Sequence, residues 1–278
     1  MIAFASNSLL CRAALKETNI DAASFTFVRI FSGAAALWLI MKARKRPSSV
    51  AAVYDRRTNA NWISAFALFV YAAAFSFAYR NLSAGTGALL LFGAVQATMI
   101  LWGFGKGERL RTIQIAGLLV AVIGLIVLVF PGLSAPPLIG SILMLSAGVA
   151  WGVYSLRGRT ASDAIAATTG NFLRAVPFAA LVSLVMFREA RVDSLGLVYA
   201  VISGAITSGL GYVIWYAALS GLNAASAATV QLSVPVLAAT GGILLLSEPI
   251  TLRYVIASIA TLGGILLVII ERRSRDSA

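Results

Sequence analysis

The chain has 278 residues, 60% of them hydrophobic and 12% charged, with a mean hydropathy of +0.91. Soluble domains carry roughly a quarter charged residues, so a globule of this composition would lack a polar surface, and the sequence reads as an integral membrane protein. The net charge of +12 does not point to nucleic acid, because the lysines and arginines fall in short connectors between apolar runs and form no separate basic domain.

A helix that spans a bilayer needs about 20 mostly apolar residues. Taken in order, that length fits candidate spans at 2–16, 22–41, 61–79, 84–105, 112–130, 138–156, 166–187, 195–219, 223–246 and 252–270. The first, "MIAFASNSLLCRAAL", has neither a basic leader nor a cleavage site and is expected to be a span, not a signal peptide. The eighth and ninth meet at "LSGLN" with no charge between them. Alternation then places Lys42, Arg44, Lys45, Arg46, Arg56, Arg57, Lys106, Arg109, Arg111, Arg157, Arg159, Arg272, Arg273 and Arg275 on one side. The other side receives Lys16, Arg80, Arg188, Arg191 and Arg253, mostly single or offset by Glu17, Glu189, Asp193 and Glu248. The basic side is expected to be cytoplasmic, with both termini inside.

The two halves resemble each other. "FTFVRIFSGAA" (25–35) lies over "GNFLRAVPFAA" (170–180), matching Phe27 to Phe172 and Arg29 to Arg174 at an offset of 145. Asn7 to Arg12 lies over Tyr154 to Arg159 at an offset of 147. "LSAGTGA" lies over "LNAASAA" at an offset of 140, which also carries Glu108 onto Glu248 and Gly124 onto Gly264. Ordered matches with slowly drifting offsets indicate a duplication, with halves at 1–133 and 134–278. Five spans per half is an odd number, so the second half enters from the opposite face. The expected fold is all-α integral membrane: ten transmembrane helices as an inverted 5+5 structural repeat, with a substrate site between the halves.

These residues resemble the drug/metabolite transporter superfamily, specifically its EamA-type members. The resemblance rests on the five-plus-five spans, an arginine in the second span of each half, and the turns "GKGERL" and "LSEPITL" before each half's last span. Within that superfamily the chain is most similar to the aromatic amino-acid exporter group of bacterial inner membranes. It departs from the pattern at one point: the ninth span has Pro235, but the matching position in the fourth is Val95, followed by Gln96.

Catalysis has little to work with. There is no histidine, Cys11 is the one cysteine, and every aspartate lies in a loop or tail, so no catalytic dyad, metal site or cofactor is expected. A phosphate-cradling loop is also missing. Glu108 and Glu248 read as helix-start carboxylates, and no proton carrier is visible within a span.

The resemblance implies a cavity walled mainly by spans three, four, eight and nine, with one and six nearby. The mid-span polar and aromatic residues there are Asn7, Tyr71, Phe75, Gln96, Met99, Trp151, Tyr154, Tyr212, Trp215 and Gln231. Each could instead serve helix packing, and the glutamines could be interhelical hydrogen-bond glue. Trp62, Trp102 and Tyr199 lie near span ends, as interfacial belt residues do. Gly209 and Gly211 make span eight the expected bending helix. Arg29 and Arg174, about eight residues into their spans, are expected to snorkel outward as structural anchors, with substrate carboxylate attraction as the alternative.

The expected function is export of a small neutral or zwitterionic metabolite, with aromatic and other apolar amino acids first in line, by a monomer in a bacterial inner membrane. Export of another metabolite or drug-like compound, a channel, and a non-transporting scaffold are the alternatives.

Overall fold

The apolar runs are helices, because a backbone in hydrocarbon has only itself to hydrogen-bond with. The structure is a computed structural model describing residues 1–43, 60–105, 112–132, 135–219 and 230–276, with side chains to 267. In chain order the helices are α1 (Ile2–Glu17), α2 (Ala22–Ala43), α3 (Trp62–Tyr79), α4 (Ala84–Gly105) and α5 (Thr112–Val129). They continue with α6 (Leu138–Gly158), α7 (Ala164–Val185), α8 (Ser194–Leu219), α9 (Ser233–Leu246) and α10 (Leu252–Asp276). No strand occurs among the described residues.

Helices α2 to α8 are each long and apolar enough to cross a membrane. The apolar stretches of α9 and of α10 (Leu252–Leu267) fall short of that length, and α1 has 16 residues. The ninth span was expected at 223–246; the described helix begins at Ser233, and residues 223–229 lie outside the described residues. So do Arg44 to Arg57, Lys106, Glu108, Arg109, Arg111 and the repeat segment "LNAASAA". Pro235 sits in the first turn of α9, where its missing N–H breaks no helical bond.

The helix surface facing outward is apolar: Ile139, Leu184, Leu244 and Leu252 are each at least two-thirds exposed. In water this would be an aggregation surface; in lipid it is solvated. Trp62 and Trp102, also exposed, lie at helix ends.

Packing inside follows an exchange pattern. Helix α3 packs on α6 and α7, while α8 packs on α1 and α2. Likewise α4 packs on α6 as α9 packs on α1, and α2–α7, α4–α9 and α5–α10 are each in contact.

Polar side chains gather at the end of the bundle holding the α1–α2, α3–α4 and α9–α10 turns. Arg12 bonds the Glu248 carboxylate through Nε (2.9 Å) and donates from Nη1 to the Tyr79 and Arg80 carbonyls that finish α3. The other carboxylate oxygen of Glu248 accepts the Ala84 N–H at 2.7 Å, capping the start of α4. Lys16 reaches the Leu246 carbonyl at the end of α9. Glu248 was expected to begin its own helix. Instead Ser247, in the left-handed region at φ 50°, turns the chain back so that Glu248 caps α4, 164 residues away in sequence.

At the same end Asp21 caps α2 by accepting the Ala23 and Ser24 N–H groups, and it also accepts the Arg191 N–H at 2.9 Å. Partial burial pushes its carboxyl upward, but the Ser24 side chain and these backbone N–H groups outweigh that and hold it below the usual carboxylate range. A depressed folded pKa gives stability that is present above the unfolded value of about 3.9 and lost as pH falls through the folded value. Asp21→Asn is therefore expected to lower the melting temperature at pH 7, with the gap to wild type closing as pH drops below about 4. Melting curves across pH check this; a gap that widens in acid would contradict it.

Candidate functional site: a buried arginine in a ring of tyrosines

Helix α8 is not α-helical throughout. Ser203–Leu210 forms a π-helical segment between two α-helical stretches. Such segments widen the turn by one residue and often accompany functional sites. Here the segment presents Ser203, Thr207 and Ser208, all buried, toward α1 and α2. It holds Gly209 and is followed by Gly211, the two glycines for which bending was expected.

The approach of α8 to α2 is close. Any Cβ at Gly204 would overlap the Arg29 carbonyl oxygen and the Ser32 hydroxyl, so only glycine fits.

This contact brings Arg29 into the core. Its side chain is 1% exposed, and the expected outward reach to the headgroups is replaced by an inward one. The physical reason is a set of hydroxyl acceptors: Nε donates to Ser208 Oγ (3.0 Å), and Nη2 donates to the hydroxyls of Tyr71 (3.1 Å) and Tyr212 (2.8 Å). The guanidinium carbon also lies over the rings of Phe75 (4.8 Å) and Tyr71 (5.3 Å). Arg174, its counterpart in the repeat, is also buried and folds back onto the Gly170 carbonyl of its own helix (3.0 Å).

The Tyr71 hydroxyl joins this arginine to α1. Asn7 Nδ2 donates to it at 3.2 Å, and the Tyr212 hydroxyl donates to it at 3.0 Å. Asn7 Oδ1 in turn accepts from Ser203 (2.6 Å) and Thr207 (3.2 Å). Above this polar layer lies an aromatic one. Trp151 packs between Tyr212 (ring centroids 4.6 Å) and Tyr71 (4.9 Å), while Phe4 meets Trp151, Tyr212 and Trp215 edge-on. The Trp151 indole N–H points to Gln231 Oε1 at 3.4 Å, and that of Trp215 to Ser155 at 3.3 Å.

Of the residues singled out from sequence, Asn7, Tyr71, Phe75, Trp151, Tyr154, Tyr212, Trp215 and Gln231 thus meet in one place, with Tyr154 packed against Trp151 and Tyr216. Met99 belongs to the same apolar core, and Gln96 is buried beside it on α4. Arg29 joins them, as do Phe4, Phe172, Ser203, Thr207 and Ser208, which sequence reasoning passed over. Serine and threonine at 203, 207 and 208 do share one helix face, a signal hidden in a stretch notable for its small residues. In this structure Tyr71, Trp151, Tyr212 and Trp215 are all buried.

Among the described residues, no group of histidine, cysteine, aspartate and glutamate could hold a metal. An all-helical, membrane-crossing bundle with a polar and aromatic core joining distant segments is an arrangement that secondary transporters use.

Comparison with known proteins gives the family. The EamA-like transporter family matches residues 1–130 and 138–270, and the chain belongs to it. An uncharacterized protein of Pseudomonas aeruginosa, PA1977, is 55% identical over 99% of this chain and 93% of its own length. An uncharacterized transporter of Archaeoglobus fulgidus is 26% identical over 74% of this chain and 77% of its own. A protein of Escherichia coli named "Probable amino-acid metabolite efflux pump" is 24% identical over 78% of this chain and 79% of its own. A solved crystal structure with 19% identity superposes with a TM-score of 0.68, covering 98% of this chain and 95% of that one, which establishes likeness of fold. The family description and the names of the Archaeoglobus and Escherichia relatives describe transporters.

Proposed function

We propose that this protein exports a small zwitterionic metabolite, an amino acid with an apolar or aromatic side chain, by alternating access at the seam lined by Tyr71, Trp151 and Tyr212. The observation that carries the proposal is the buried seam itself. Hydroxyls, an amide, a guanidinium and aromatic faces from α1, α2, α3, α6 and α8 converge there, a lining suited to a ligand with a polar head and an apolar body. The bacterial efflux pump among the relatives adds weight to the amino-acid class.

Ten spans in two inverted halves of five, divided near residue 133, complete the proposal. The exchange pattern of contacts and the two stretches matched by the family support it. Alternation then sets the polar-strapped end outside the cell and both termini in the cytoplasm of a bacterial inner membrane. The π-helical segment of α8 is the proposed hinge, since it already departs from regular hydrogen bonding beside the site.

Uptake of labelled amino acids into proteoliposomes, with and without a pH gradient, tests the proposal. Uptake of apolar amino acids down their gradient, at a rate indifferent to the pH gradient, is expected, and no uptake of any amino acid by inserted protein would remove the substrate class. Trp151→Ala should lower that uptake at least tenfold while the protein still inserts and elutes as wild type. Full uptake by that variant would return the ring to a packing role.

A further inference from the structure

Arg12 and Arg29 are both drawn in by neighbouring helices, yet they are satisfied differently. Arg12 has a carboxylate on Nε and two terminal carbonyls on Nη1. Its charge is neutralised, as a structural arginine's should be. Arg29 is more deeply buried, has no carboxylate within ion-pairing distance among the described residues, and is held by three neutral hydroxyls. Its Nη1, buried, makes no hydrogen bond among the described residues. A guanidinium has five N–H donors, and leaving a buried donor without an acceptor is destabilising, more so when it is charged. An unneutralised charge adds to that cost.

We infer that Arg29 is the carboxylate-binding residue of the transport site, with Nη1 left free for the substrate and Ser208, Tyr71 and Tyr212 fixing the guanidinium in place. This rests on the seam being the transport site, and it narrows the ligand to compounds with a single carboxylate. The guanidinium and one carboxylate neutralise each other and leave a substrate ammonium to the aromatic faces beside them, whereas a phosphate dianion would leave a buried negative charge with no second cation beside it. A phenyl or aliphatic body next to that carboxylate would meet Trp151 and Phe4, which pack over the same tyrosines. The two tyrosines make a neutral cradle, so the charge of Arg29 is unspent until the substrate arrives.

The test uses purified protein in lipid nanodiscs and reads the ligand-dependent rise in unfolding temperature, which follows the affinity of the folded state. Three probes share one body: phenylalanine, 3-phenylpropionate, which lacks the amino group, and 2-phenylethylamine, which lacks the carboxylate. The first two are expected to raise the midpoint and the third to leave it unchanged. Arg29→Gln should weaken both carboxylates at least tenfold, Arg29→Lys should recover part of the response, and Arg174→Gln should respond as wild type. Should Arg29→Gln fail to fold, Tyr212→Phe keeps the ring and removes one hydroxyl that positions the guanidinium, and a several-fold weaker carboxylate response is expected there.

A response to phenylethylamine equal to that of the carboxylates would overturn the inference, as would an undiminished response in Arg29→Gln or in Tyr212→Phe. Binding of 3-phenylpropionate without phenylalanine would sink the amino-acid substrate and leave the carboxylate site standing. Silence of the wild-type protein toward all three would remove both.

Discussion

Glu248→Ala is expected to lower stability by about 3 kcal/mol or more, the range found when one partner of a buried ion pair is removed. Both side chains are largely shielded, at 14% exposure for Arg12 and 7% for Glu248. The loss has two parts. Arg12 would keep its charge beside the end of α3 with no anion to balance it, and the first N–H of α4 would lose its cap, a contribution of about 1 kcal/mol on its own. Glu248→Gln separates these parts, because an amide oxygen can still cap Ala84 but cannot neutralise Arg12. Its melting temperature should fall between those of wild type and Glu248→Ala. The pair Arg12→Met with Glu248→Met should cost less than the two single changes added together, since no lone charge is left behind. Unfolding midpoints of these six proteins, wild type included, in one detergent check this, and strictly additive losses would show that the strap carries no coupling.

That strap also marks where sequence reasoning reached its limit. The helices were legible because hydrocarbon length is written in composition: α4 begins and ends where its apolar run does. Glu248 was legible as a capping carboxylate, since acidic residues favour helix starts. Which helix it caps was not, because that depends on a single left-handed residue, Ser247, that redirects the chain. Arg29 posed the same difficulty on a larger scale. Its depth in the span could be counted, but its direction follows from the rotation of α2 against a segment some 180 residues away in sequence, where Ser208 and Tyr212 stand ready. Arg174 has the same place in the repeat and binds a carbonyl of its own helix instead. A repeat fixes position along a helix; the neighbours a side chain meets are set by packing, and the halves have diverged there. Glycines 209 and 211 pointed to a helix able to bend, and the hydroxyls that the π-helical segment presents to Asn7 could be recognised only once that register was known.

The tightest joint in the molecule should be the least tolerant of change. Gly204→Ala adds one methyl group, but it would sit on the backbone carbonyl of Arg29, which belongs to a helix and cannot swing aside as a side chain could. Helices α2 and α8 must then separate. Overpacking of this kind costs about 1–3 kcal/mol and more when backbone has to move. The functional loss should exceed the stability loss, because the same separation lengthens the bonds from Arg29 to Ser208 (3.0 Å) and Tyr212 (2.8 Å) that position the guanidinium. Transport is therefore expected to fall by at least tenfold in protein that still inserts. Gly263→Ala is the matched control: it adds the same methyl on α10, where nothing lies within 4 Å, and it should leave transport unchanged and stability equal or slightly higher. Wild-type transport by Gly204→Ala would mean that α2 and α8 can part without disturbing the seam, and the seam would then have to work without Arg29 held in place.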